Sequence, residues 1–160
     1  MRVYELKRTQ VIPVPRDQVF AFFERPENLS ELTPASLGFQ ILTPSPIEMK
    51  SGSLIDYTVR VSGLPVRWTT LITDYDPPRG FVDVQLRGPY SFWHHTHTFE
   101  AVESGTLMTD TVRYVLPLGL LGRLAHALFV KRQIRGIFDY RSRVLTEHFC
   151  DRASAAAGRE

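Results

Sequence analysis

His95-Thr96-His97 sets two imidazoles two residues apart, a spacing that on a β-strand sends both rings out of the same face. Asp83, Gln85, Asp110 and Tyr114 lie in neighbouring segments of similar alternating character. Imidazole changes charge near neutral pH, and an adjacent carboxylate decides which ring nitrogen holds the proton. Three readings of this group stay open: the residues satisfy one another as a buried network, or Gln85, His95 and Tyr114 hydrogen-bond a carbonyl or hydroxyl of a ligand. In the third, Asp83 orients His97, or Tyr114 donates a proton, in general acid/base catalysis. Two histidines on one strand face can also hold a metal with a third ligand from Asp83, Asp110 or a helix, but this spacing is weak evidence and no metal is assigned. The sequence has no glycine-rich phosphate loop, nucleophile elbow or cysteine pair, so no cofactor is expected. Cys150 stands alone and is read as inert, His94 as outward-facing, and His126 and His148 as surface or packing residues.

Turn chemistry indicates which side chains share a face, because paired residues of an antiparallel ladder point the same way. A two-residue loop at Gly63-Leu64 pairs Val61 with Val66, Val59 with Trp68, Tyr57 with Thr70 and Ile55 with Ile72. A loop over Asp76 to Arg79 sets Ile72 opposite Asp83, Thr70 opposite Gln85 and Asp74 opposite Phe81. A loop over Gly88 to Phe92 sets Phe81 opposite Phe99, Asp83 opposite His97, Gln85 opposite His95 and Arg87 opposite Trp93. A turn at Ser104-Gly105 then places His95 against Tyr114, His97 against Val112, Phe99 against Asp110 and Trp93 against Leu116. The four turns converge on one face: an apolar wall with a polar island of Asp83, Gln85, His95, His97 and Tyr114, and Asp110 one row further along. In the strand Phe81 to Arg87 hydrophobicity alone favours the other face, since Val82, Val84 and Leu86 are more apolar; the shared loop choice that matches Phe81 with Phe99 and Asp83 with His97 decides against it.

The elements that must hold this face can be read along the chain. Tyr4 to Ile12 alternates and stops at Pro13 and Pro15, an edge or terminal strand. Val19, Phe20, Phe22 and Phe23 form a helical stripe ending before Pro26, and Glu27 to Leu32 forms a second short helix. Extended segments punctuated by Pro44 to Pro46, Pro77-Pro78 and the turns above make an antiparallel meander. Beyond Pro117-Leu118-Gly119, the residues Leu121, Leu124, Leu128, Ile134, Phe138 and Leu145 recur at helical intervals to Phe149. The expected fold is α+β, a helix-grip arrangement: a curved antiparallel sheet of about seven strands wrapped around a long C-terminal helix, with two short helices after strand one. A helix across a curled sheet leaves a concavity, and Leu128 and Phe138 are expected to face it. Residues 1–150 form the single domain, and 151–160 a disordered tail.

Composition limits what this domain can be. The 160 residues suffice for one core, and 43% hydrophobic with 22% charged residues is ordinary for a soluble globular chain. No apolar run approaches the length of a membrane span, so stable membrane insertion is not expected. The start, Met1 to Thr9, lacks an apolar signal core, which points to the cytoplasm. A net charge of +2 argues against a nucleic-acid partner. Arg123, Lys131, Arg132, Arg135, Arg141 and Arg143 lie on the long helix, where a solvated face is the plain reading and a membrane-surface role the alternative.

The runs Gly80 to Gln85, Gly88-Pro89-Tyr90, Trp93 to Phe99, Asp110 to Tyr114 and Leu116-Pro117-Leu118-Gly119 together resemble the bacterial SRPBCC proteins. This is the START-related superfamily often labelled polyketide cyclase/dehydrase and lipid transport. Val19 to Phe23, Asn28-Leu29 and Leu32-Thr33-Pro34 are similar too, so the likeness runs from Val3 to about Phe149. It implies a deep cavity between sheet and helix, with Trp68, Trp93, His95, Phe99 and Tyr114 as lining candidates. The full set expected to touch a ligand is Tyr57, Trp68, Thr70, Asp83, Gln85, Trp93, His95, His97, Phe99, Asp110, Tyr114, Leu128 and Phe138. Of these Asp83, His95, His97 and Tyr114 are the catalytic candidates. The resemblance transfers no catalytic residue, because members of this superfamily range from carriers to cyclases on one scaffold. It implies a small hydrophobic ligand such as a lipid, isoprenoid or aromatic polyketide, with a cofactor-free cyclase, dehydratase or isomerase as the alternative. Similar domains beside a sugar-epimerase-like domain hint at an oxidoreductase partner.

Overall fold

Side chains alternate between buried and exposed along most of the extended segments, and those segments pair into one seven-stranded antiparallel sheet. The computed structural model describes residues 2–61 and 63–157, with side chains to Cys150. Its strands are β1 (Tyr4–Ile12), β2 (Gln40–Ile41), β3 (Leu54–Val61), β4 (Leu64–Asp76), β5 (Gly80–Arg87), β6 (Phe92–Val102) and β7 (Gly105–Val115). They lie in the order β1-β7-β6-β5-β4-β3-β2, so the first strand closes one edge beside the last. Helix α1 (Arg16–Phe23) follows β1, then 3₁₀ turns at Pro26–Ser30 and Ala35–Leu37. The chain ends in α2 (Gly119–Ala125), a π turn (His126–Val130) and α3 (Lys131–Ala157). This is the helix-grip architecture, an open curved sheet around a long C-terminal helix. Among the described residues no helix is long and apolar enough to cross a membrane.

Helix α1 starts directly after Pro15, with Asp17 in its first turn complementing the helix dipole, and buries Val19, Phe20, Phe22 and Phe23. Phe20 meets Phe99 edge-on at 5.6 Å, and Phe22 meets Phe149 of α3 at 5.7 Å, which plugs one end of the domain with aromatic rings. Ile134, Phe138, Leu145 and Phe149 form the buried stripe of α3. Polar ties fix the helix against the edge of the sheet: Arg8 Nη2 pairs with Asp139 Oδ1 at 2.7 Å, and Gln10 Nε2 donates to the Ser142 carbonyl at 2.9 Å.

Three hairpins pair two residues away from the expected register, with every side chain still on its expected face. Val59 sits opposite Val66 and Tyr57 opposite Trp68. Phe81 sits opposite His97 and Asp83 opposite His95, while His95 meets Val112, His97 meets Asp110, Phe99 meets Met108 and Trp93 meets Tyr114. A turn moved by one residue shifts the pairing by two, and a period of two leaves the faces unchanged. The pairs Ile72–Asp83 and Thr70–Gln85 hold as expected, but a bulge between Ile72 and Asp74 absorbs one residue, so Asp74 meets Val82 rather than Phe81.

The long helix departs from its expected form. The π turn adds a residue to the repeat, and Leu121, Leu124 and Leu128 are 68%, 57% and 58% exposed, outside the core they were expected to join. Arg141, expected on a solvated face, is buried. Helix α3 continues to Ala157, into the segment expected as a disordered tail, and residues 158–160 lie outside the described residues.

Candidate functional site

Between the concave face of the sheet, α3 and the loops after α1 lies a cavity of about 210 Å³. Its wall is mainly apolar and aromatic: Ile55, Tyr57, Trp68, Ile72 and Trp93 from the sheet, Tyr90 from the β5–β6 connection, and Ile134 and Phe138 from α3. Trp68 is stacked on Tyr57 at 5.9 Å and meets Trp93 edge-on at 5.3 Å. The Tyr57 hydroxyl and Thr70 Oγ1 are 3.2 Å apart, and burial pushes the Tyr57 phenol well above its ordinary pKa. Trp68 keeps a buried indole N–H that finds no acceptor among the described residues.

One part of this lining is strongly polar. β5 presents Asp83, β6 His95 and His97, and β7 Asp110, as the cross-strand pairs Asp83–His95 and His97–Asp110. Each imidazole touches both carboxylates. His97 Nε2 is 2.9 Å from Asp83 Oδ2, and His95 Nε2 is 2.9 Å from Asp110 Oδ1. His97 Nδ1 lies 2.8 Å from Asp110 Oδ1 but off the axis of an aligned hydrogen bond, and His95 Nδ1 lies 3.5 Å from Asp83 Oδ2. Below the quartet, Arg141 is sandwiched between Phe23 and Phe138, with its guanidinium 5.6 and 5.7 Å from the two ring centres.

These contacts set the protonation states. Burial opposes ionisation of Asp83, but His95, His97 and Arg141 outweigh it and lower its pKa. Burial likewise opposes ionisation of Asp110, and Arg141 with the two histidines holds it well below the ordinary carboxylate value. The two imidazoles then diverge. Burial and the neighbouring His97 push His95 down, toward neutrality. For His97 burial acts in the same direction, but its contacts with Asp110 and Asp83 prevail and raise its pKa. Of the two imidazoles, His97 is thus the one favoured to carry the positive charge beside the carboxylates and Arg141, and His95 the one favoured to stay neutral. An ionised carboxylate only accepts, so the 2.9 Å contact of His95 with Asp110 requires its proton on Nε2, which leaves Nδ1 as a base.

Asp83, His95 and His97 also offer three donor atoms within 4.8 Å of one another, a set suited to zinc. In this structure Asp83 Oδ2 and His97 Nε2 are already committed to each other, so a metal would have to part them.

Eight of the residues expected at the ligand line the cavity: Tyr57, Trp68, Thr70, Asp83, Trp93, His95, His97 and Phe138. Five do not. Asp110 stands behind the histidines and acts through them. Gln85 turns to the next loop, where its amide donates to the Tyr90 carbonyl at 2.7 Å and accepts from the Tyr90 N–H at 3.3 Å, which fixes Tyr90 in the wall. Phe99 is packed in the core behind Phe20. The Tyr114 hydroxyl is spent on His126 Nε2, 2.9 Å away, so it is not free to donate a proton to a ligand. Leu128 lies on the exposed side of the π turn. Sequence reasoning missed Arg141 and Tyr90. Arg141 had a signal, since Ile134, Phe138, Arg141 and Leu145 continue one helical stripe; Tyr90 had none, because its position depends on the Gln85 clasp.

A model of the family described as polyketide cyclase/dehydrase and lipid transport matches residues 4–148. No curated protein matches the chain. Among solved structures, the Zhui aromatase/cyclase from Streptomyces sp. R1128 superposes with a TM-score of 0.74 at 15% identity, covering 97% of this chain and 98% of that one. TTHA0849 from Thermus thermophilus gives 0.73 at 18% identity, covering 92% and 98%. The major latex-like protein 151 of Panax ginseng gives 0.68 at 13%, covering 92% and 97%. At these identities the likeness is one of fold.

Proposed function

The chain belongs to the polyketide cyclase/dehydrase and lipid transport family of the SRPBCC superfamily, and from that footing we propose that its cavity binds a small hydrophobic molecule bearing one or two oxygen atoms. The observation that carries this reading is the cavity itself: aromatic walls, a polar quartet at one side, and the buried Trp68 N–H without an acceptor. A buried donor left unpaired costs about 1 to 3 kcal/mol, and a carbonyl or hydroxyl oxygen of a ligand would recover it. An apolar cavity of about 150 Å³ holds benzene. The 210 Å³ here suits a compact ring system, an aromatic polyketide or cyclic isoprenoid, better than an extended lipid chain. Rings would stack on Tyr57, Trp68 and Trp93. The setting we infer is the cytoplasm.

The chain's two tryptophans, Trp68 and Trp93, both line the cavity, so intrinsic fluorescence reports on its contents. Titration with a naphthol and quinone panel should change emission saturably, and palmitate should act more weakly. Native mass spectrometry after gentle purification should find a retained small molecule. A flat emission across the panel together with a bare chain in the mass spectrum would sink the idea.

The second reading, a cofactor-free cyclase, dehydratase or isomerase, is favoured by one observation: His95 and His97 stand side by side at the cavity, 3.8 Å between ring centres, with the pKa of the first lowered and that of the second raised. Neighbouring groups whose surroundings drive their pKa values apart are suited to serve as base and acid. Turnover of a polyketide or enone panel should then disappear in a His95→Gln, His97→Gln double variant that still binds ligand. Turnover that survives removes these histidines from the reaction.

A further inference from the structure

The segment between β7 and α3 presents a surface that the cavity does not explain. Leu118, Leu120, Leu121, Leu124, Leu128 and Phe129 are all between 57% and 77% exposed. Large apolar side chains scattered singly are ordinary on a surface, but six within twelve consecutive residues form a patch. Helical spacing sorts them. Gly122 and His126, four apart, are the buried positions of α2 and the π turn. A Cβ at Gly122 would collide with the Pro117 carbonyl, and His126 stacks on Tyr4 at 3.5 Å while bonding Tyr114, so this side is clamped to the fold. Leu120, Leu124 and Leu128 recur every four residues with Leu121 beside them, on the opposite side of the helix. Leu118 leads into the stripe with φ at 67°, a left-handed conformation that leucine rarely adopts, and its side chain is 76% exposed.

Charge identifies what covers the patch. Arg123, Lys131, Arg132 and Arg135 are exposed on the same segment. From Thr111 to Phe138 the sequence has no aspartate or glutamate. A chain of net charge +2 thus carries +4 on residues 118–138 and −2 elsewhere. Exposed leucines and a phenylalanine flanked by arginine and lysine, with acidic residues excluded, are the makeup of a helix that lies in a membrane interface.

We propose that the leucine face of α2 and the π turn docks this protein on an anionic lipid bilayer, with the apolar side chains in the acyl boundary and Arg123, Lys131, Arg132 and Arg135 among the headgroups. The docked helix runs directly into the cavity wall, which begins at Gln133 and Ile134. Ligand exchange between bilayer and cavity would rest on the binding function above; docking itself does not.

Co-flotation of the full chain with phosphatidylcholine vesicles, with and without phosphatidylglycerol, tests this. Binding should favour the anionic vesicles by about tenfold or more and weaken as salt is raised. Leu120→Ser, Leu124→Ser and Leu128→Ser together should abolish it. Glutamine at Arg123, Lys131, Arg132 and Arg135 should erase the preference for anionic lipid, and these four exposed side chains can be replaced without disturbing the core. None of the substituted residues lines the cavity, so the tryptophan response to a cavity ligand should persist in both variants; loss of docking and loss of ligand binding are therefore separate results. Failure of the wild-type chain to float with either vesicle overturns the proposal and leaves the patch to a protein partner. Flotation retained by both variants overturns it as well. So does a dimer in sedimentation that the serine variant converts to monomer, because a second copy then covers the face.

Discussion

His95 and His97 lie with ring centres 3.8 Å apart, and their pKa values part in opposite directions: burial and the neighbouring His97 lower that of His95, while Asp110 and Asp83 outweigh the same burial and raise that of His97. Their effects on stability therefore have opposite signs. The pKa of His97 is raised on folding, so its contribution is fully present below the ordinary value of about 6.5 and is lost as pH rises through the folded value. That of His95 is lowered, so the unfolded chain binds the extra proton and stability falls as pH drops from about 6.5 toward the folded value. Stability should peak near pH 6.5. Guanidinium unfolding from pH 5 to 9 should show that peak, with His97→Gln flattening the alkaline side and His95→Gln the acid side. The same slopes in both variants would refute the split. Asp83 and Asp110 add a separate loss at lower pH, as the medium falls from the ordinary carboxylate range through their depressed values.

Arg141 is the foremost charge opposing the burial of Asp110 and adds to the hold of the two histidines on Asp83. Arg141→Met would leave Asp83 and Asp110 facing a single imidazolium, and removing one partner from a buried charge cluster costs about 3 to 5 kcal/mol. The site should respond by taking up a proton, with His95 becoming charged at higher pH. Nitrogen chemical shifts of the imidazoles would follow it directly. Arg141→Lys should restore the charge but only part of the stability, because an ammonium does not stack between Phe23 and Phe138 as a planar guanidinium does.

The faces of the sheet were legible in the sequence because a turn misplaced by one residue changes pairing by two, and parity survives. Tyr57, Asp83, His95 and His97 are therefore on the expected side, although the partner of each histidine is not the expected one. Two kinds of feature break this logic. A bulge near Thr73 and a π turn at His126–Val130 each insert a residue that no composition rule announces, and they displaced Asp74 and the Leu121-Leu124-Leu128 stripe. Arg141 was hidden differently. A charged residue on a helix reads as solvated until its partners are known, and those partners, Asp83 and Asp110, come from strands remote in the chain.

Gly80 allows β5 to approach β6 at the point where His97 is held. A Cβ there would collide with the His97 backbone carbonyl, which cannot rotate away. Gly80→Ala should cost about 2 kcal/mol through overpacking, a fall in Tm of roughly 4 to 8 °C for a chain of this size. It should also displace His97 from Asp83, and the alkaline limb of the stability profile should shrink with it. An unchanged Tm would mean that the strands separate more easily than the contact implies.

Trp68 offers the sharpest separation between shape and polarity in the cavity, because its indole contributes both a wall and an unpaired N–H. In Trp68→Phe the ring face survives in reduced form and the donor is gone. If the donor meets a ligand oxygen, a cyclic ketone should lose about tenfold in affinity relative to the hydrocarbon of the same skeleton, the worth of one hydrogen bond in a buried site. The hydrocarbon should change only by the lost packing. Trp93, then the sole tryptophan and selectively excited at the red edge of the absorption band, reports both titrations from within the cavity. Equal losses for ketone and hydrocarbon would assign Trp68 to packing alone and return recognition of the oxygen to the His95 and His97 side of the site.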